Sequence, residues 1–260
     1  IHQHLAKIKI GGAQVHLHLI VRERLRVRGQ RELDREAIPL EARDLVPVAF
    51  LLAGLIHYWT LMQLTLERAT TAREAIEVMT GLVEEHGYRS TAESFSIADP
   101  NEVWLMEMIG TGPGGSGAVW VAMRIPDGFI SAYANAPRIR HFPLDDPESC
   151  RYSDNVISFA VERGYWDPAS GEPFDFTAAY DQPTVQSRRY TATRVWSIFR
   201  RIAPSLNLSP DYHRGLAGAE PYPLWVEPEK KLALADVMAL MRDHYEGTDY
   251  DMTQGVDAGP

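Results

Sequence analysis

From Glu93 to Ile139 the chain reads ESFSIADPNEVWLMEMIGTGPGGSGAVWVAMRIPDGFISAYANAPRI: four short segments of strand character broken by three turn signals. The turns are Asp99-Pro100-Asn101-Glu102, the glycine-rich stretch Gly110 to Gly117, and Pro126-Asp127-Gly128. Strands joined by loops this short pair antiparallel, because a parallel crossover needs a dozen or more residues. The pattern therefore predicts an antiparallel meander. Alternation sets Val103, Leu105 and Glu107 on one face and Trp104, Met106 and Met108 on the other. Glu107 is then either a solvent-facing acid or a buried carboxylate needing a partner such as Arg124. The methionines and the tryptophans Trp104 and Trp120 read as core packing.

Elsewhere the apolar period is mostly helical. Residues 58–86 predict two helices, the second opening at Thr71 with Glu74 three residues on as a capping box and closing at Gly87 in a left-handed cap. Its stripe is Ala75, Ile76, Met79, Leu82 and Val83. Ser153 is expected to cap a short helix that buries Val156, Ile157, Ala160 and Val161 and ends at Gly164. Arg188 to Ile202 predicts a helix with Val195, Trp196, Phe199 and Ile202 inward, and Leu232 to Tyr245 a last one closed by Gly247. Val15 to Gly29 alternates almost strictly, with arginines and histidines on one face, as an edge strand does. Antiparallel strands with helices before and after them indicate an α+β fold.

Charge narrows the partners. The net charge of -9 argues against nucleic acid or an anionic membrane surface as partner. The excess acid lies beyond residue 45, since residues 1–45 are mildly basic. No apolar run approaches the roughly 18–20 residues of a spanning helix. A single cysteine, Cys150, allows no internal disulfide and leaves the compartment undetermined. The chain opens on Ile1 and closes on GTDYDMTQGVDAGP, and both ends read as cuts.

Several features invite chemistry. The loop Gly110 to Gly117 has phosphate-loop composition but lacks a lysine and runs into another strand, so turn chemistry explains it better. His2/His4 and His16/His18 are His-x-His pairs able to face a metal from a strand, or to face solvent. Cys150 is either a nucleophile near Arg140, His141 and Arg151 or a plain structural thiol. The best polar set is Asn135 and Arg138 at the end of the meander, with Arg194 on a later helix. An amide orients an amide substrate, and a guanidinium clamps a carboxylate at two points.

ESFSIADPNEVWLMEMIG, GAVWVAMRIPDGFISAYAN-x-x-RI, FPLDDPESCRYSDNVISFA and LMRDHYEGTDYDMT, with the preceding TLERATTAREAIEVMTGLVEEHGY, resemble the dipeptidase A family of cysteine peptidases. Its relatives are the secernins, within the N-terminal-nucleophile hydrolases. The resemblance runs from about Gly54 to Gly259 and implies a four-layer αββα sandwich, present here in part. It implies cysteine-type hydrolysis of dipeptides without metal or organic cofactor, with a small peptide as partner. The attacking thiol would be that of an N-terminal cysteine, whose own α-amine, with a pKa near 8, is the base. Asn135 and Arg194 are implied as residues of the catalytic site, and Arg138 is a motif residue expected to help bind substrate.

The chain departs from that pattern at its start. Ile1 is not a cysteine, and Cys150 lies in an internal motif, so the resemblance makes it no nucleophile. Residues 1–53 are expected to be an atypical, mis-translated segment, and 54–260 a partial hydrolase domain. This chain alone is expected to be inactive. The alternatives are a non-catalytic secernin-like scaffold and an N-acyl amide hydrolase of the same superfamily.

Overall fold

The computed structural model describes residues 8–10, 13–15, 56–112 and 115–255. All four histidines of the two His-x-His pairs, the alternating run after Val15 and the boundary expected at residue 53 lie outside the described residues. The architecture is mixed helix and antiparallel sheet, the α+β class expected. The described residues form two compact units. One comprises those up to Arg124 together with Ile139–Tyr180, the other Ile125–Arg138 with everything from Asp181 onward. Near the start, β1 (Ile8–Ile10) and β2 (Ala13–Val15) make an antiparallel pair.

In the first unit α1 (Tyr58–Arg68) and α2 (Ala72–His86) cover one face of a sheet. The Thr71 hydroxyl accepts from Glu74 N at 3.2 Å, as a helix cap should. The reciprocal half of the expected box is displaced by one residue: the Glu74 carboxylate accepts from the Thr70 backbone N–H and hydroxyl, each at 2.7 Å. Asp99, from the turn between two strands, adds a second cap by accepting from Ala72 N at 2.9 Å. One face of α2 buries Ile76, Met79, Leu82 and Val83, each worth on the order of 1.5–3 kcal/mol for leaving water. Gly87 has positive φ, 74°, as expected. Its ψ of 160° is not left-handed helical, so the chain leaves α2 extended rather than curling back.

The sheet contains β3 (Ala92–Ala98), β4 (Val103–Gly110) and β5 (Ala118–Ile125) in consecutive order, so the first three segments of the meander form as predicted. Asp99 shapes the first turn by accepting from the Asn101 and Glu102 N–H groups at 2.7 and 3.0 Å. The glycine-rich stretch joins β4 to β5, with Thr111 N and hydroxyl both on Gly117 O at 3.1 Å. It enters a strand, so the helix N-terminus that a phosphate loop requires does not follow it.

The fourth segment departs from the prediction. Ile130–Ser131 (β6) pairs with a strand far along the chain, and Cys150–Tyr152 (β7) takes the place beside β5. The free edge of β5 needs a partner, and β7 supplies three registered pairs, Met123↔Cys150 among them. Ser153, expected to cap a helix, instead continues that pairing. Its hydroxyl accepts from Trp120 N at 3.1 Å and its own N–H donates to Trp120 O at 3.0 Å. The helix α3 (Ser158–Glu162) therefore starts later, and Val161, expected inside, is exposed. A short α4 (Phe176–Tyr180) closes the unit.

Both faces of the sheet are buried. Phe95, Ile97, Trp104, Met106 and Met108 meet the helices, while Leu105, Glu107, Val119 and Val121 are equally hidden on the other side. Glu107 is thus the buried carboxylate of the two alternatives. Its Oε2 accepts from Ile139 N at 3.1 Å. Arg124 reaches Glu102 at 3.3 Å.

The second unit is organised on α5 (Val185–Ile202), capped by the Thr184 hydroxyl. It buries Val195, Trp196, Phe199 and Ile202, as its spacing predicts. The stretch after it, irregular by sequence, includes α6 (Asp211–Arg214) and β8 (Trp225–Val226), the partner of β6. His213 on α6 is 1% exposed, ringed by Trp196, Tyr222 and Tyr250. The last helix, α7 (Leu234–Met241), is shorter than predicted, and Gly247 lies in a later turn with φ 74°. Among the described residues no helix is long and apolar enough to cross a membrane.

Candidate functional site

Downstream of β6 the chain makes the strand end that the sequence singled out. Asn135 lies there with φ 57°, in the left-handed region. Asparagine tolerates that conformation better than residues other than glycine, because its short polar side chain bonds locally. The position therefore asks for a particular backbone and also presents an amide.

Arg194, in the middle of α5, reaches this amide. Its Nη2 donates to Asn135 Oδ1 at 2.8 Å and to the Ala134 carbonyl at 3.2 Å, and its Nε donates to Tyr190 O one turn back at 2.8 Å. With Oδ1 engaged by the guanidinium, the Asn135 amide nitrogen is the end turned away from Arg194. Arg194 is half-buried, and loss of water lowers the affinity of its guanidinium for its proton. The phenol of Tyr245 acts on it electrostatically in the opposite sense. Tyr245 has a left-handed backbone too, with φ 64°, and its own pKa is raised by burial.

Arg138, three residues past Asn135, is occupied differently. Its guanidinium donates to four backbone carbonyls: Ala132, Tyr222 at 3.2 Å, Pro223, and Leu224 at 3.3 Å. It also lies over the Phe199 ring, 5.4 Å from the centroid. It thereby ties the Asn135 segment to the chain entering β8. The Ser131 hydroxyl donates to Leu224 O in support.

The segment after α7 packs on the same face of α5. Asp243 accepts from the Ser197 hydroxyl and pairs with Arg201 at 2.9 Å. Residues 194, 197 and 201 recur at helical spacing, so the anchor of this segment lies directly along the helix from Arg194. Sequence reasoning missed Tyr245 and Asp243. The signal that would have found them was the LMRDHYEGTDYDMT motif itself.

Cys150 is 2% exposed within β7. Burial pushes its thiol up to about 12, with Asp146 adding to the shift, so it is protonated and poorly nucleophilic at neutral pH. The structural-thiol alternative describes it. Among the described residues no group of three or more His, Cys, Asp or Glu side chains stands ready to hold a metal ion.

Comparison with known proteins gives this geometry its class. A model of Peptidase family C69 matches residues 34–258, and the chain belongs to that family. It is 33% identical over 187 residues to a protein named "Probable dipeptidase" from Salmonella dublin, covering 70% of this chain and 39% of that protein. To a "Probable dipeptidase" of Latilactobacillus sakei it is 27% identical over 192 residues, 74% of this chain and 37% of the other. To a "Dipeptidase" of Bifidobacterium longum it is 28% identical over 200 residues, 73% and 36%. The chain thus spans well under half the length of the curated relatives it matches.

Proposed function

We propose that the protein to which this chain belongs hydrolyses dipeptides by a cysteine-type, N-terminal-nucleophile mechanism, and that the second unit supplies the substrate-holding part of the site. The observation that carries this reading is the Asn135–Arg194 pair, in a chain that belongs to a peptidase family. In the proposed reaction a thiolate adds to the scissile carbonyl and the α-amine of the same cysteine takes the thiol proton. The tetrahedral intermediate collapses with that proton passing to the leaving amine, and water then hydrolyses the thioester. Asn135 orients the scissile amide through its side-chain amide, and Arg194 fixes Asn135. Arg138 serves substrate binding through the backbone that it holds.

The thiol that attacks is not Cys150, because that sulfur is buried and held protonated. As Cys150 is the one cysteine of this sequence, the chain by itself is proposed to be inactive. A four-layer αββα sandwich is the proposed architecture of the whole domain, supported by a sheet that is buried on both faces and carries helices on one. Residues 1–53 are proposed to be a segment distinct from the hydrolase domain.

The test uses Ala-Ala as substrate. The 260-residue chain should release no alanine, with or without Cys150→Ala. A form extended to the length of its relatives with an N-terminal cysteine should release it, and lose that activity when the added cysteine becomes alanine. Turnover by the short chain, or an extended protein whose turnover survives loss of the added thiol, would sink the mechanism.

A further inference from the structure

The last helix is apolar on every side and buried on none. In α7 (Leu234–Met241) Asp236 is the one polar residue, and it is used at the helix start, where it accepts from Ala233 N at 2.8 Å and pairs with Lys230 at 3.2 Å. The inward side is Leu240, which packs with the preceding Leu232 against the core that α5 builds. The opposite side is Leu234, Val237, Met238 and Met241, the i, i+3, i+4, i+7 stripe of a helix that faces a core. Those four are between 42% and 77% exposed, and no residue of α7 is buried. A helix that is hydrophobic all round belongs inside a protein or a membrane. Eight residues are far too few to span a bilayer.

We propose that this stripe is a seam, on which a part of the protein outside this chain packs through Leu234, Val237, Met238 and Met241. The relatives have the length for such a part, since the matched stretch is 39%, 37% and 36% of the three compared. A second copy of the chain fits the face poorly. A helix of eight residues offers a face about 12 Å long and 10 Å wide, against the roughly 800 Å² that each partner of a stable dimer buries. Charge opposes a second copy as well. Lys231 and Arg242 flank the stripe at its two ends, both exposed and without an ion pair among the described residues. Two copies paired antiparallel set Arg242 beside Lys231, and two paired parallel set each cation beside its own mate, so like charges meet in either sense. A segment of the same polypeptide needs no such area, because its effective concentration is high. The flanking cations give its chemistry: an apolar segment carrying acids at both ends of the contact. The seam involves no catalysis, so it stands or falls apart from the dipeptidase reading.

Methionine oxidation reads the seam directly, since peroxide attacks exposed thioethers and spares buried ones. In the 260-residue chain, dilute peroxide followed by peptide mass spectrometry should oxidise Met238 and Met241 fast, and the fully buried Met79 and Met106 slowly. In the form extended to the length of its relatives, Met238 and Met241 should slow roughly tenfold or more, with Met79 and Met106 unchanged. Equal rates in the two proteins overturn the proposal. So does protection in the 260-residue chain that grows with its concentration, which assigns the face to a second copy. Met238→Glu adds a second readout. It should leave the melting temperature of the 260-residue chain where it was, and lower that of the extended protein by roughly 5 °C or more, or keep it from folding. An equal drop in both proteins, or none in either, overturns the seam.

Discussion

Tyr222 donates its one hydroxyl proton to the Ser209 carbonyl at 2.9 Å, so His213, 2.8 Å away, must donate to Tyr222 through Nδ1–H. This fixes the neutral tautomer of a histidine that is 1% exposed and leaves Nε2 as a buried lone pair with no partner among the described residues. Protonating Nε2 would create a buried donor with nothing to bond.

The consequence is a pH-dependent stability. Burial, reinforced by Arg214 and opposed by Asp211, pulls the His213 imidazole down to about 4 from its ordinary 6.5. The unfolded chain therefore binds more protons than the folded one between those values. Stability contributed by neutral His213 is complete above about pH 6.5 and is lost progressively as the pH falls toward 4, by about 3 kcal/mol in all. His213→Gln, which keeps a donor for Tyr222 without titrating, should flatten the profile over that window. Denaturant melts at stepped pH would reveal this, and identical slopes in both proteins would refute it.

Asn135 combines a backbone role with a side-chain role, and substitution can separate them. Asn135→Gly should keep the left-handed backbone without strain and cost about 1–3 kcal/mol for the lost bond to Arg194. Asn135→Ala should cost about 1–2 kcal/mol more than the glycine variant, because alanine pays for the left-handed backbone. Asn135→Asp should keep an acceptor for Arg194, remove the amide donor and weaken the binding of Ala-Ala. Thermal unfolding and peptide titration would decide; equal stability of the alanine and glycine variants would contradict the backbone argument.

Arg138 holds one segment to another through four carbonyls. Arg138→Met keeps much of the apolar stem against Phe199 and removes every donor. It should cost about 1–3 kcal/mol and speed amide exchange in β6 and β8 ahead of the rest. Protection in those strands equal to the parent's would rule out this role.

Asp243 anchors the segment after α7 to Ser197, which is fully buried, and to Arg201. Asp243→Ala leaves the Ser197 hydroxyl without its acceptor and Arg201 without its carboxylate, at a cost of about 1–3 kcal/mol. The turn that presents Tyr245 should then loosen. Limited proteolysis would show new cleavage between residues 243 and 248, and an unchanged digest would speak against the anchor.

How far the sequence carries can be judged from these elements. The stripe of α2 and the inward set of α5 were legible because helical periodicity records burial directly. The first three strands were legible because their turns are local. The fate of the fourth was not, since β6 finds β8 almost a hundred residues later and no local pattern encodes that partner. Ser153 looked like a cap because a serine before an apolar run often is one, but its hydroxyl serves the β5 backbone instead. The Asn135–Arg194 contact joins residues 59 positions apart. The residue types suggested a site, and only the fold shows Nη2 bonded to the Asn135 oxygen.

The burial of Cys150 has a practical side. This chain offers a thiol reagent one sulfur, and that sulfur lies where β7 registers against Met123 of β5. Modification can then proceed only as fast as that strand pair opens. The chain carries its own clock for local unfolding, and the labelling rate under native conditions counts how often the edge of the sheet lets go.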